Sequence, residues 1–410
     1  MKYAIIIGDG MADEPIEALK AKTPLEVADT PYMDALAKAG EIGMVKNVPD
    51  TLPPGSDTAI LSIFGCDPLK YYTGRSPLEA AGSGVLLKEN EISFRVNMVA
   101  LSEEEDDFNE KRIYSHSGDN ISGEDSIKLM QTLIADAEFK ALAEEIGMRF
   151  VLNSSFRHIG IAANVEVPPV EFVPPHDILG EKIGEYINKP TDMVSKVQRR
   201  MMEIAYRVLN NHSINDKRRE KGGKATNSLW FWGAGKGVAL PDFEKTYNKT
   251  ATAITAVPLV EGIAALSNVR NVKVDGANGE ITTNYKGKVD AAIGALENGS
   301  DLAIVHIEAP DECSHMGDME AKIKAIELLD EKVVGPMYDN MKKFGEFRIL
   351  ILPDHPTLLK TRTHDGSPVP FLLFDSRKDT GLGSSFCEKN AKNGKYIEKG
   401  HELLKEFLSE

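Results

Sequence analysis

Met1-Lys2-Tyr3-Ala4-Ile5-Ile6-Ile7-Gly8-Asp9-Gly10 opens the chain, and its reading decides the fold. The apolar, partly β-branched run before Asp9 is too short for the apolar segment of a signal peptide and reads as a strand. Gly10 allows a sharp turn at the strand end, which leaves the Asp9 carboxylate pointing out of it. Asp-Gly is also an ordinary turn pair, so this stretch alone leaves turn and ligand both open.

Working outward, similar runs recur at Leu302–Ile307, Arg348–Leu352 and Pro370–Phe374. Between them, Ile323, Ile326, Leu329, Val333, Met337 and Met341 recur every three or four residues, which predicts a core-facing helix over about Met319–Phe344. Strands alternating with helices are the grammar of an α/β domain, a mainly parallel sheet flanked by helices. The middle of the chain has a different texture. Glu103–Asp107 is a run of charge, and Val167-Pro168-Pro169 and Val173-Pro174-Pro175 punctuate loops. The expected organisation is a core of 1–85 and 246–410, interrupted by a smaller α+β domain over 86–245.

The chain's 410 residues suit two compact units, and 42% hydrophobic with 27% charged residues is ordinary for a soluble globular protein. No apolar run approaches the ~18 residues of a spanning helix. A net charge of −15 argues against nucleic acid or an anionic membrane as partner, since both require a basic face. The local exception, Lys217-Arg218-Arg219-Glu220-Lys221, reads as a solvated loop. Cys66, Cys313 and Cys387 are far apart and form no CxxC pair, so neither a disulfide framework nor a zinc knuckle is expected, and a reducing cytoplasm fits.

Three predicted strands run toward acidic residues: the first into Asp9, the second toward Asp311 and the third into Asp354-His355. In open α/β sheets ligands bind at the carboxyl ends of strands. Asp311 and His315 stand four apart, on one face if their segment is helical. His364 follows in a Thr-rich loop. Singly each is an ordinary structural residue; together Asp and His supply the oxygen and nitrogen donors that zinc and manganese accept, and two such cations can clamp a phosphoryl transfer. Ser56, in Pro53-Pro54-Gly55-Ser56-Asp57-Thr58-Ala59, precedes an apolar helix-like stretch. It reads either as a helix cap or as a nucleophile whose helix amides receive a phosphate and whose hydroxyl a metal activates.

Several segments in order resemble the cofactor-independent phosphoglycerate mutases of the archaeal type, in the alkaline phosphatase superfamily. They are Gly8-Asp9-Gly10-Met11, Pro54–Ala59, Tyr72–Ala80, Glu308–Asp311 with His315, and Pro353-Asp354-His355 with His364. The resemblance implies a phosphatase-like core, an inserted substrate-binding domain and two divalent ions, manganese first, with zinc, magnesium or cobalt as alternatives. It implies Asp311, His315 and His364 as ligands of one ion, and Asp9, Ser56, Asp354 and His355 as ligands of the other. Ser56 would take the phosphoryl group from 3-phosphoglycerate and return it to the 2-hydroxyl, so the partner is a small phosphorylated metabolite. By similarity, Arg157, His212, Asn215 and Arg218 are substrate contacts, and Lys286 or Lys288 neutralises the phosphoserine. One departure is Trp232-Gly233-Ala234-Gly235, where many of these mutases carry arginine before Gly-x-Gly. This variant is similar to a bacterial subgroup also proposed as homoserine kinases, which makes phosphotransfer to another small hydroxyl the alternative activity.

Overall fold

A computed structural model describes residues 1–378 and 383–409. The chain divides into two compact units, Met1–Tyr72 with Ala239–Glu410, and Thr73–Val238. Among the described residues no helix is long and apolar enough to cross a membrane.

The first unit is built on an eight-stranded sheet in the order Lys395–Ile397, Glu41–Val45, Val369–Asp375, Phe347–Leu352, Lys2–Gly8, Leu302–Ile307, Ala251–Ile254, Arg270–Asn271. Only Val369–Asp375 runs antiparallel to its neighbours. The central strand Lys2–Gly8 is apolar throughout its interior because helices cover both sheet faces, and Ala4 to Ile7 are fully buried. Its parallel register sets Ile7 opposite Leu352 and Gly8 opposite Ile307. Three carboxyl ends therefore lie side by side, and the residues just beyond them converge.

The expected long helix is helical throughout but not uniform. Met319–Leu329 passes through a wider π turn at Asp330–Val334 into Gly335–Met341 and ends in a tight turn at Lys342–Phe344. Asp330, in the wide turn, accepts the amides of Tyr32 and Met33 and so caps helix Pro31–Ala39. The apolar stripe faces the core as its spacing requires, with one exception. Ile323 is only half-buried, and the side chain fully enclosed at that turn is its neighbour Lys322.

In the second unit an antiparallel sheet carries Glu91–Leu101 between Arg157–Ala163 and Ser228–Lys236, with Arg149–Val151 beyond Arg157–Ala163 and Ile113–Ser115 pairing the end of Glu91–Leu101 at Ala100 and Leu101. Helices Gly123–Ala135, Ala137–Glu145 and Met193–Leu209 close over an apolar core. Its edges differ from the expected 86–245. Helix Arg75–Gly82 packs on strands Glu91–Leu101 and Ser228–Lys236 and so joins this unit, whereas the Phe243 amide bonds the Ser267 carbonyl and joins the other.

Candidate metal centre

Asp9 leaves strand Lys2–Gly8 at a turn that only Gly10 permits. Gly10 has φ +61°, and a Cβ there would lie 2.6 Å from both Asp311 Oδ1 and Thr357 Oγ1. Its amide donates to Asp354 Oδ1 at 3.1 Å, and the His355 amide donates to the same oxygen at 2.8 Å. These bonds use one oxygen of Asp354 and leave Oδ2 buried without a hydrogen-bond partner. Asp9 behaves alike. Its Oδ2 is 2.9 Å from His306 Nε2, while Oδ1 is buried and unpartnered. His355 Nε2 lies 3.3 Å from Asp354 Oδ2 and 3.7 Å from Asp9 Oδ1. Two orphaned carboxylate oxygens and an imidazole nitrogen thus face one point, and buried polar atoms are rarely left so.

The electrostatics point the same way. Burial, and then the nearby carboxylates of Asp354, Asp311 and Glu308, hold the Asp9 carboxyl well above its usual range. A divalent cation relieves that repulsion, and oxygen with imidazole nitrogen is a donor set that manganese and zinc accept. The residues present therefore fit a divalent ion.

A second cluster adjoins the first. Helix Ala309–Met316 sets Asp311 and His315 one turn apart, with His315 Nε2 3.1 Å from Asp311 Oδ2. His364 comes from the short hairpin pairing Thr357–Leu358 with Thr363–His364, and its Nε2 is 3.1 Å from His315 Nε2 and 3.6 Å from Asp311 Oδ1. Asp311, His355 and His364 can each direct a donor atom into a common space less than 4.8 Å across, as can Asp9, Asp354 and His355. Burial opposes ionisation of Asp311, but hydrogen bonds from His315 and His364 outweigh it and hold its carboxyl well below the usual range.

Ser56 stands beside both clusters. Helix Ser56–Ile63 starts at Ser56 with Gly55 as its cap residue, and no side chain caps it. The Ser56 hydroxyl instead lies 3.2 Å from His355 Nε2, so the cap reading has no bond to stand on.

The other candidate residues separate clearly. Lys288 is buried on helix Tyr285–Glu297 and donates to the His306 carbonyl at 2.9 Å. Burial lowers its pKa to about 8, against the pull of Glu308. Lys286 lies on the surface, paired with Asp290. In the second unit His212 accepts the Ile214 amide and caps helix Ser213–Glu220. Buried Asn215 bonds the Leu209 carbonyl and both the amide and the carbonyl of Thr226, and Arg218 donates to the carbonyls of Lys224, Gly118 and Asp119. All three are engaged in shaping their own loops. The basic run beside them is helical rather than a loop, and Arg219 pairs with Glu103 and Asp216.

Arg157 differs. Its Nε is buried without a hydrogen-bond partner, in a group where Glu79 pairs with Arg95 at 2.9 Å and Arg75 at 3.0 Å. The Arg95 guanidinium lies 3.9 Å from the Trp232 ring centroid, and the indole donates to Asn97 Oδ1 at 3.1 Å. A packed indole with a guanidinium on its face therefore occupies the departure from the arginine pattern.

Sequence reasoning missed His306, Thr357 and Lys322. His306 sits within an apolar strand and looks like a core position. Burial lowers its pKa to about 4, which keeps the ring neutral; Nε2 lies 2.9 Å from Asp9 Oδ2, and Nδ1 faces the Thr255 hydroxyl at 3.3 Å.

Fold and site together define an α/β protein with divalent-cation donor clusters at the carboxyl end of a mainly parallel sheet. The family model described as 2,3-bisphosphoglycerate-independent phosphoglycerate mutase matches residues 37–215. A relative of that name from Methanosarcina mazei is 42% identical over 396 residues, 96% of each chain. Another, from Methanothrix thermoacetophila, is 40% identical over 412 residues and covers both chains fully. A solved protein of Pyrococcus horikoshii superposes with TM-score 0.79 at 28% identity, over 100% of this chain and 98% of that one. The solved cofactor-independent phosphoglycerate mutase of Thermoplasma acidophilum shares the fold, with TM-score 0.61 at 23% identity over 100% and 99%. The chain belongs to the 2,3-bisphosphoglycerate-independent phosphoglycerate mutase family.

Proposed function

We propose that the protein interconverts 3-phosphoglycerate and 2-phosphoglycerate through a phosphoserine at Ser56, with two divalent ions, manganese foremost, held by the two donor clusters. The observation that carries this reading is the Ser56 hydroxyl, directed at His355 Nε2 beside the orphaned oxygens of Asp9 and Asp354 rather than capping its helix. Asp9, Ser56, Asp354 and His355 would hold one ion, and Asp311, His315 and His364 the other. The ions supply Lewis acidity, lowering the pKa of the serine hydroxyl and neutralising charge on the transferring group.

Ser56 Oγ attacks phosphorus, the bond to the 3-oxygen of the substrate breaks, and that oxygen takes up a proton. The proton taken up there replaces the one Ser56 gives up; the 2-hydroxyl of the retained glycerate then attacks the phosphorus, the bond from phosphorus to Ser56 Oγ breaks, and the proton the 2-hydroxyl releases restores the Ser56 hydroxyl. Enclosure serves this sequence, since water reaching the phosphoserine would hydrolyse it. Ser56 and every residue of helix Ser56–Ile63 are buried.

The second unit is proposed to bind substrate. Arg157 is its strongest candidate contact, supported by the unpartnered Nε; a guanidinium recognises carboxylate or phosphate through paired donors. For His212, Asn215 and Arg218 the existing bonds favour a supporting role in the loops. Lys288 is proposed to act on the site through the His306 carbonyl. A reducing cytoplasm is the proposed compartment, supported by three free buried cysteines. Phosphotransfer to homoserine finds no support in the names of the relatives compared.

The test is conversion of 3-phosphoglycerate by chelator-stripped protein reloaded with manganese, zinc, magnesium or cobalt, without bisphosphate primer. Turnover with manganese and none without metal is expected. No turnover with any of the four overturns the reading.

A further inference from the structure

Thr357 touches both donor clusters with one hydroxyl. Its Oγ1 donates to Asp311 Oδ1 and lies 3.2 Å from His355 Nδ1. A hydroxyl has a single proton. With that proton on Asp311, the His355 contact requires Nδ1–H to donate to Thr357, which leaves Nε2 bare toward Ser56, Asp9 and Asp354. A ligating imidazole whose other nitrogen donates to a fixed acceptor is the usual way its tautomer and orientation are set. Gly10 packs beside this hydroxyl, and a Cβ there would lie 2.6 Å from it, so the position next to the Thr357 hydroxyl admits only glycine.

The backbone of Thr357 is held as firmly. Its amide donates to the Ala12 carbonyl at 3.3 Å, and its carbonyl accepts the Lys322 ammonium at 2.7 Å. Lys322 also donates to the Ala12 carbonyl at 3.2 Å and to Asp13 Oδ2 at 2.8 Å, and the Leu359 amide meets the same Asp13 oxygen. Both charged side chains are fully enclosed. An apolar pair could pack here at lower desolvation cost, so stability alone does not account for a buried ion pair. What the pair adds is direction: one ammonium joins acceptors from the loop after Asp9 to an acceptor on the loop carrying Asp354, His355 and His364.

We propose that Thr357, anchored by Lys322, is a positioning residue that couples the two metal pockets, orienting His355 in one and Asp311 in the other. The proposal rests on the two-metal reading of the site.

The experiment is calorimetric titration of chelator-stripped protein with Mn²⁺, beside kcat and KM for 3-phosphoglycerate and the absorption spectrum of the Co²⁺-loaded protein. It compares wild type with Thr357→Ser, Thr357→Val, Thr357→Ala and the double variant Lys322→Met with Asp13→Leu. Thr357→Ser keeps the hydroxyl and should match wild type. Thr357→Val and Thr357→Ala should bind Mn²⁺ about 10 to 100-fold more weakly, the usual effect of losing a partner of a metal ligand. They should also shift the Co²⁺ spectrum and lower kcat with little change in KM. The double variant removes both charges, so that neither is stranded, and should weaken Mn²⁺ binding in the same direction. Wild-type affinity in both Thr357→Val and Thr357→Ala, or equal impairment of Thr357→Ser, overturns the role of Thr357. Wild-type affinity in the double variant overturns the anchor. If wild type itself binds no Mn²⁺, the two-metal reading falls and the coupling with it.

Discussion

Replacing Glu79 by Gln should remove a defined share of the acid sensitivity of the second unit. Burial alone would raise the Glu79 pKa, but Arg95, then Arg157 and Arg75, overcome burial and lower it to about 2 from an ordinary 4.5. A depressed carboxylate contributes stability that is present above its unfolded pKa and is lost as pH falls through its folded pKa. The window is therefore pH 4.5 down to about 2. The difference of roughly 2.5 pK units corresponds to on the order of 3 kcal/mol at 1.36 kcal/mol per unit. Both tryptophans, Trp230 and Trp232, lie on strand Ser228–Lys236 of this unit, so their fluorescence in urea reports its unfolding. With a urea slope of about 1–3 kcal/mol/M, the wild-type midpoint should exceed that of Glu79→Gln by about 1–3 M at pH 7. The gap should close as pH approaches 2, where Glu79 is itself becoming neutral. Other carboxylates titrate in both proteins and cancel in the difference. A gap that stays constant from pH 7 to pH 2 would refute the reasoning, because it would mean that the charge of Glu79 is not what the arginines hold.

Gly10→Ala should cost about 1–2 kcal/mol for the left-handed backbone and, by displacing Asp311 and Thr357, weaken divalent-ion binding; thermal melting and Mn²⁺ titration measure the two effects. His306→Ala removes the hydrogen-bond partner of Asp9 Oδ2, and Mn²⁺ affinity at the pocket proposed around Asp9 should fall about 10 to 100-fold, with unchanged binding counting against the role of His306. Lys322→Met strands the buried Asp13 carboxylate and should cost about 3–5 kcal/mol in urea denaturation, most of it recovered when Asp13→Leu is added. A double variant no more stable than the single one would contradict that pairing.

The fold was legible because its strands are unbroken apolar runs, and the convergence of their ends follows once the sheet is parallel. Asp9, Asp311 and Asp354 were visible as carboxylates just beyond such runs, where burial would otherwise exclude them. His306 was not, since a polar residue inside Leu302–Ile307 gives no sign of which face it takes or what it meets there. Lys322 was hidden by its own helix. The three-to-four spacing nominated Ile323, and only the packing of the loops after Asp9 and Asp354 shows why an ammonium is enclosed one position earlier. Ser56 was ambiguous on composition because a cap and a nucleophile need the same residue at the same helix end; its hydroxyl lies beside His355 Nε2 and makes no cap bond, which favours the second reading. For His212, Asn215 and Arg218, residue type suggests ligand binding, and the structure adds that His212 Nδ1, the Asn215 amide group and Arg218 Nε and Nη2 also bond nearby backbone.

The most direct measurement is rapid acid quench of the manganese-loaded protein mixed with phosphorus-labelled 3-phosphoglycerate, followed by peptide mass spectrometry. The two-cluster site around Ser56 predicts label on the peptide containing Ser56, appearing before 2-phosphoglycerate accumulates and absent from a folded Ser56→Ala protein. Label on another residue, or conversion to 2-phosphoglycerate by Ser56→Ala, would contradict it.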